Sequence, residues 1–420
     1  MTQPTLTNED RARADVAACN AAAGDAPCVK IGILTPLSGP GDPTAGELHV
    51  RGACIAAQYI REHGGIKEGV QVQYVLRNDQ ETALADGGMQ RSAVGGLAKL
   101  AIVDEVLAVI GTWHLRTADY EAELAERIGL PLFVESGHST ITAKQRRTLF
   151  RSYSAVADRV PVMVRMLEEV GLRRIAMIVA DTTFGLMKAD TLEAEMKNSE
   201  HDFEVLRLEF DQETARALGD DGDLRPQLRQ AKDFAPDLIL NIGIVGTNYL
   251  MIKQAAELGL LPDTPMMASF QFPLRSGDFW KLAGDYGKGV FWPASRFSPT
   301  WEGLTEIGHW FVQRYTEVYG DLPPDTALNA FTDITMIAQA LESAPVISRE
   351  HLIEELELGT FETWRGPVEF GRSTDHWHHS PPEVIIQQYQ EVGQDITTAA
   401  IVYPPHLRTH AWVHPSAVRA

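Results

Sequence analysis

From Val29 onward the chain alternates two hydrophobic patterns: short runs of consecutive apolar residues, then segments in which apolar residues recur every three or four positions. VKIGILT (29–35) ends in the turn residues PLSGPGDP, and TAGELHVRGACIAAQYIREHGGI follows with helical period and a Gly-Gly stop. A continuous apolar run marks a strand buried on both faces, and the longer period marks a helix with one face against it. The unit recurs as VQVQYVL (70–76) with a helix near 84–100, VLAVIG (106–111) with a helix near 117–128, and PLFV (131–134). After FRSYSAVADRV (150–160) it restarts with RIAMIVA (174–180) and a helix through Lys188. FEVLRLEF (203–210) precedes a polar insert with Gly219 and Gly222, and DLILNIG (237–243) precedes a helix to Leu258. PMMAS (265–269) and GVFWP (289–293) complete this half, and helices near 301–319 and 327–343 lead into a strand-rich tail.

This alternation predicts an α/β protein with two consecutive open, doubly wound parallel sheets. Ligands of such sheets sit outside the carboxyl ends of the strands, which directs attention to the loops after Thr35, Ile110, Val134, Ala180, Gly243 and Ala268. The segment 1–28 reads as a polar arm with a short helix through 10–22.

A length of 420 residues fits two to three domains. Lys and Arg number 37 against 57 Asp and Glu, a formal charge of −20, which excludes a nucleic-acid binder and disfavours anionic membrane surfaces. No stretch approaches the ~18 apolar residues of a membrane span. The segment from Met1 to Pro27 lacks the apolar core of a secretory signal, so the expectation is either a processed, exported chain or a cytoplasmic one. Cys19, Cys28 and Cys54 leave room for one disulfide in an oxidising compartment, with the pair undetermined.

No G-x-S-x-G, H-E-x-x-H, P-loop or dinucleotide-binding pattern is present, so no catalytic residue, cofactor or metal is predicted. GDYGKG (284–289) reads as a glycine-rich turn, and Glu121 and Glu123 are expected on a solvated helix face. His376, His378 and His379, and His406, His410 and His414, have spacings that can bind zinc or nickel. Prolines bracket the second group, and exposed loop histidines are the expectation for both.

The segments IGILTPLSGP (31–40), RGACIAAQYIREHGGI (51–66), VIGTWH (109–114), GLPLFVESGHS (129–139), FRSYSAVAD (150–158), RRIAMIVADTTFG (173–185), PDLILNIG (236–243) and ALNAFTDITMIAQAL (327–341) follow in order. Together, over roughly 29–400, the chain resembles the type I periplasmic solute-binding proteins of the branched-chain amino acid and amide class. The resemblance implies two α/β lobes joined by three hinge crossings, near Arg151, near Pro293 and between Gly366 and Glu383. Lobe one would comprise 29–150 plus 294–380, and lobe two 151–293 plus 381–400. Residues 401–420 would form an extension that packs back on a lobe. The implied function is a non-catalytic receptor that closes on a small ligand and delivers it to an ABC permease and its ATPase, in the periplasm or outside the cell. A cytoplasmic ligand sensor on the same fold is the alternative; an enzyme is a remote one.

The resemblance also implies a site. The serine that receives a ligand carboxylate in amino-acid binders falls on Leu115, flanked by Trp113 and His114. Ser136 and Ser139 fit the next loop, whose threonine position is His138. The acidic residue that pairs with a ligand ammonium falls on Phe270, beside Gln271. Phe184 keeps an aromatic position, Ser38 lies in the first loop, and Ile244 lies in the loop after Gly243. An α-ammonium buried without a carboxylate is costly, so a standard amino acid is disfavoured. Trp113, Phe184 and Phe270 suit a planar aromatic or amide-like ligand, with Ser136, His138, His114 and Gln271 as polar tips.

Overall fold

The computed structural model describes residues 6–39, 42–67, 69–79, 88–138, 140–244, 246–268 and 279–419. They form two compact units, Met1–Ala155 with Glu302–Pro382, and Val156–Trp301 with Glu383–Ala420.

In chain order the first unit begins with α1 (Asn8–Ala21), β1 (Cys28–Thr35), α2 (Pro43–Glu62), β2 (Gln71–Asn78), α3 (Gly88–Ile102), β3 (Ala108–Gly111), α4 (Leu115–Ile128), β4 (Leu132–Val134) and β5 (Leu149–Phe150). The second unit takes α5 (Val156–Val170), β6 (Arg174–Ala180), α6 (Thr183–Asn198), β7 (Glu204–Phe210), α7 (Gln212–Leu218), α8 (Arg225–Phe234), β8 (Leu238–Ile242), α9 (Thr247–Glu257), β9 (Met266–Ala268), α10 (Phe279–Ala283) and β10 (Phe291–Ser295). The chain returns to the first unit for α11 (Glu306–Tyr319), α12 (Asp325–Ser343), α13 (Arg349–Leu358), β11 (Phe361–Thr363) and β12 (Gly366–Val368), and ends in the second with β13 (Val384–Gln388) and β14 (Ala400–Tyr403).

The first unit's main sheet has the order β2-β1-β3-β4-β5 and is parallel throughout. Side chains alternate across it, so Leu34, Val109, Leu132 and Val134 join one core with α3 and α4. On α4 the core residues Ala118, Ala122 and Ala125 carry the helical period, and Gly129, at φ 62°, ends the helix in a left-handed cap. Helices α2 and α12 lie so close that a Cβ on Gly52 would stand 1.9 Å from the Ala327 carbonyl oxygen. Only glycine allows that approach.

The second unit's sheet runs β14-β13-β10-β9-β8-β6-β7, and β13 is antiparallel to both its neighbours. The alternation is plain on β6. Ala176, Ile178 and Ala180 enter the core with α8 and α9, while Ile175, Met177 and Val179 enter the core with α5 and α6. The tail is part of this unit: β14 pairs with β13, Val413 exchanges two hydrogen bonds with the Gln388 side chain (2.7 and 3.0 Å), and Trp412 lies edge-on to Phe291.

Several elements differ from the sequence reading. The polar insert after β7 holds two helices, α7 and α8, and α13 and β5 were not anticipated. Residues 294–301 lie in the second unit and α1 in the first. Glu121 is fully buried, not solvated; it sits three residues after Ala118 and so shares that helix face. His378 and His379 are buried rather than exposed. His378 stacks on Phe150, ring centroids 4.5 Å apart and planes 2° apart, and its Nδ1 meets the Leu149 carbonyl at 3.1 Å. Among the described residues no cluster of His, Cys, Asp or Glu could hold a metal, and no helix is long and apolar enough to cross a membrane.

Candidate functional site

In the first unit's sheet the strand order reverses between β1 and β3, and in open α/β sheets the crevice outside the carboxyl ends at such a reversal is where ligands sit. The loops after β1, β3 and β4 carry Ser38, Trp113, His114, Ser136 and His138 among the residues singled out by sequence, and Leu115 is the first residue of α4.

The loop after β3 owes its course to two unusual backbone positions. Gly111 has φ 116°, and a Cβ there would lie 2.0 Å from the Leu34 carbonyl oxygen; Thr112 follows at φ 60°, donating its N–H to the same oxygen (2.9 Å). This turns the chain out of the sheet and leaves Trp113 half-buried at its end. His114 is the N-cap of α4 and makes no side-chain cap. Its carbonyl accepts from Thr117 and Ala118 N–H, so the N–H groups of Leu115 and Arg116 open the helix without an acceptor inside it. A helix start of this kind favours an anionic partner.

His114 is fixed from behind. Its Nε2 lies 3.4 Å from Oδ2 of Asp79, which is buried just beyond the end of β2. Glu121, on the next turn of α4, accepts from the Thr117 hydroxyl (3.2 Å). Burial, with Asp79 nearby, lifts its carboxyl from 4.5 to about 8, so it is protonated at neutral pH. In the loop after β1, Ser38 Oγ accepts from Asn78 Nδ2 (2.9 Å), and Asn78 Oδ1 holds the Leu37 N–H (3.1 Å). The Ser38 hydroxyl proton remains available to donate.

The loop after β4 is held by a buried cation. Arg151, fully buried, donates to the carbonyls of His138 (2.7 Å) and Ser136 (3.4 Å), to Thr142 Oγ1 (3.3 Å) and to His379 Nδ1 (3.0 Å). Ser136 is fully buried and its Oγ accepts from the His138 N–H (3.4 Å). His138 is half-buried; burial lowers its pKa, so the ring is neutral. Its Nδ1 accepts from Thr140 N–H (3.3 Å), which assigns the ring proton to Nε2 and makes that atom a donor. Glu135 is buried beside Asp333, accepting from Asn329 Nδ2 (3.1 Å). Burial and the second acid push Glu135 well above the carboxylate range, so it carries the proton of the pair; Asp333, raised to about 7, accepts from Ser152 (2.6 Å).

In the second unit, Phe184 is the second residue of α6, half-buried against the core with α5. Gly185 after it is required, since a Cβ would meet the Ala180 carbonyl oxygen at 2.1 Å. Asp181 accepts from Gln212 N–H (2.9 Å) and ties the ends of β6 and β7 together. Ile244 spends its carbonyl on Gln212 Nε2 and Thr247 Oγ1, and its side chain packs on the other core. Phe270, Gln271 and Ser139 lie outside the described residues.

Sequence reasoning missed Asp79, Asn78 and Glu135, and took Arg151 only as a crossing point. Their signal was position: each follows or ends a strand of the sheet whose carboxyl end carries the loops.

Residues 28–391 match a family described as periplasmic binding protein. A Leu/Ile/Val-binding protein homolog 7 from Brucella melitensis is 24% identical over 91% of this chain and 94% of its own. The branched-chain amino acid transporter substrate-binding protein LivJ from Streptococcus pneumoniae, solved in complex with isoleucine, superposes with a TM-score of 0.73 at 19% identity, over 90% of this chain and all of that one. A solute-binding protein of an ABC transporter from R. palustris, solved with benzoate, superposes with a TM-score of 0.72 at 18% identity, over 89% and 96%.

Proposed function

Because the chain belongs to the periplasmic binding protein family, the non-catalytic solute-binding proteins of ABC transporters, we propose that it binds a planar aromatic carboxylate, or a small amide-like solute, in preference to a standard amino acid. The reading rests on one observation: the loops at the carboxyl ends of the first unit's strands, with the start of α4, carry hydrogen-bond donors and Trp113, while the acids Asp79, Glu121 and Glu135 are buried. The start of α4, the Nε2 proton of His138 and the Ser38 hydroxyl can donate to a carboxylate or carbonyl, with Trp113 as the stacking surface. Asp79 faces His114, and Glu121 and Glu135 are buried and protonated, so none offers an ammonium a charged partner at low cost. Phe270, at the position where amino-acid binders carry an acid, agrees with this. Phe184 is the second unit's candidate contact.

We place the protein outside the cytoplasmic membrane, passing its solute to an ABC permease. Fractionation of the native cell checks the first point. Calorimetric titration with benzoate-type acids, amides and leucine checks the ligand. Benzoate-type acids or amides should bind; tight leucine binding with no response to either would overturn the reading.

A further inference from the structure

The chain's three cysteines are not equivalent in the fold. Helices α1 and α2 run side by side in the same direction, and their contacts form a ladder. On the first rung Arg11 grips the buried Glu47 with Nε and Nη2 (3.0 and 2.8 Å), and Asn8 Nδ2 adds a third bond (2.9 Å). On the second, Arg51 bridges Glu47 (2.7 Å) and Asp15 (3.8 Å). One more turn along each helix, four residues past Asp15 and three past Arg51, stand Cys19 and Cys54. Residues three or four apart share a helix face, so the third rung brings the two thiols together. Just past it, Asn20 clasps the backbone of Tyr74 by both its N–H and its carbonyl (2.8 and 2.9 Å), and Tyr74 Oη donates to the Ala53 carbonyl (2.6 Å). The rung is therefore held in register from both sides.

We propose that Cys19 and Cys54 form a disulfide that staples α1 to the first unit, and that Cys28 stays reduced. Cys19 and Cys54 are both half-buried residues. Hydrogen bonding from the Cys54 thiol lowers the Cys19 pKa, which makes Cys19 the attacking thiolate; burial raises Cys28, whose thiol donates to the Ala26 carbonyl (3.1 Å). With a low-molecular-weight disulfide as oxidant, the Cys19 thiolate attacks one sulfur and releases the first thiol. Cys54 loses its proton and attacks Cys19 Sγ of the mixed disulfide, releasing the second. The protein gives up two protons and two electrons, and the oxidant takes them up to become two thiols. Such a bond persists in oxidising compartments.

The test uses the full-length native chain incubated with oxidised glutathione, quenched with a maleimide, and read by intact mass and peptide mapping. The expected product is two hydrogens lighter than the reduced chain, with one maleimide on Cys28 and a Cys19–Cys54 cross-linked peptide; its thermal midpoint lies above that of the reduced chain. Cys28→Ser should cross-link as the native chain does, and Cys54→Ser should instead carry glutathione on Cys19. Three alkylated cysteines after oxidation, or Cys28 within the bond, would overturn the proposal.

Discussion

Replacing Glu121 by Gln should make the protein more stable at pH 8 and leave it nearly unchanged at pH 5. The carboxyl is fully buried, bonded to Thr117 and close to Asp79, and titrates near 8 in the folded chain against 4.5 ordinarily. Below pH 4.5 it is protonated both folded and unfolded, and costs nothing. Between 4.5 and about 8 the unfolded chain has released a proton that the folded chain keeps, so stability falls as pH rises. At about 1.4 kcal/mol per pH decade the full penalty approaches ~5 kcal/mol above pH 8, and ~3 kcal/mol is present at pH 7. Glutamine keeps the shape and accepts from Thr117 through its carbonyl, without the titration. Urea denaturation of both proteins at pH 5, 6, 7 and 8, followed by tryptophan fluorescence, measures the difference. The curves should nearly coincide at pH 5 and separate progressively toward pH 8, the variant unfolding at higher urea. A difference independent of pH, or a variant less stable at pH 8, would refute the buried-acid argument.

Arg151→Met should cost ~3 kcal/mol or more, because it orphans the carbonyls of Ser136 and His138; Arg151→Lys should recover only part of this, and ligand affinity should fall in both, as denaturation and calorimetry will show. Gly111→Ala forces a Cβ to within 2.0 Å of the Leu34 carbonyl oxygen at a left-handed backbone position, and should cost ~3 kcal/mol or prevent soluble expression. Trp113→Ala should weaken aromatic-acid binding about tenfold, or ~1.4 kcal/mol, and Trp113→Phe less, measured by titration calorimetry.

Much of the fold was legible because its strands are buried on both faces and its helices on one, so continuous runs such as VLAVIG and the period of α4 were both present in the chain. The loops that carry the candidate site were legible for the same reason: they follow the strands. What stayed hidden was set by distant partners. Nothing near His378 announces that it will stack on Phe150, and nothing near Arg151 announces His379; both pairings join residues 228 positions apart. Glu121 is a different case. It stood on the buried face by spacing, and its charge argued for solvent; the fold resolved the conflict by protonating it. The short helices α7, α8 and α13 escaped notice because their polar residues outnumber the few, such as Leu228 and Leu352, that anchor them.

The weaving of the two units also decides when each can exist. Helix α12, which closes against α2, joins the first unit only after the whole α5–β10 stretch of the second has been made, and β13 and β14, which pair at the end of the second unit's sheet, begin no earlier than Val384. A ribosome that has just added Trp301 has therefore made neither unit completely. Domains that are contiguous in sequence can fold one after another as they emerge. Here the first must wait for the stretch that ends at Pro382 and the second for the segment after it, so the nascent protein remains without its finished cores through most of its synthesis, and the order in which its parts are made is not the order in which they become stable.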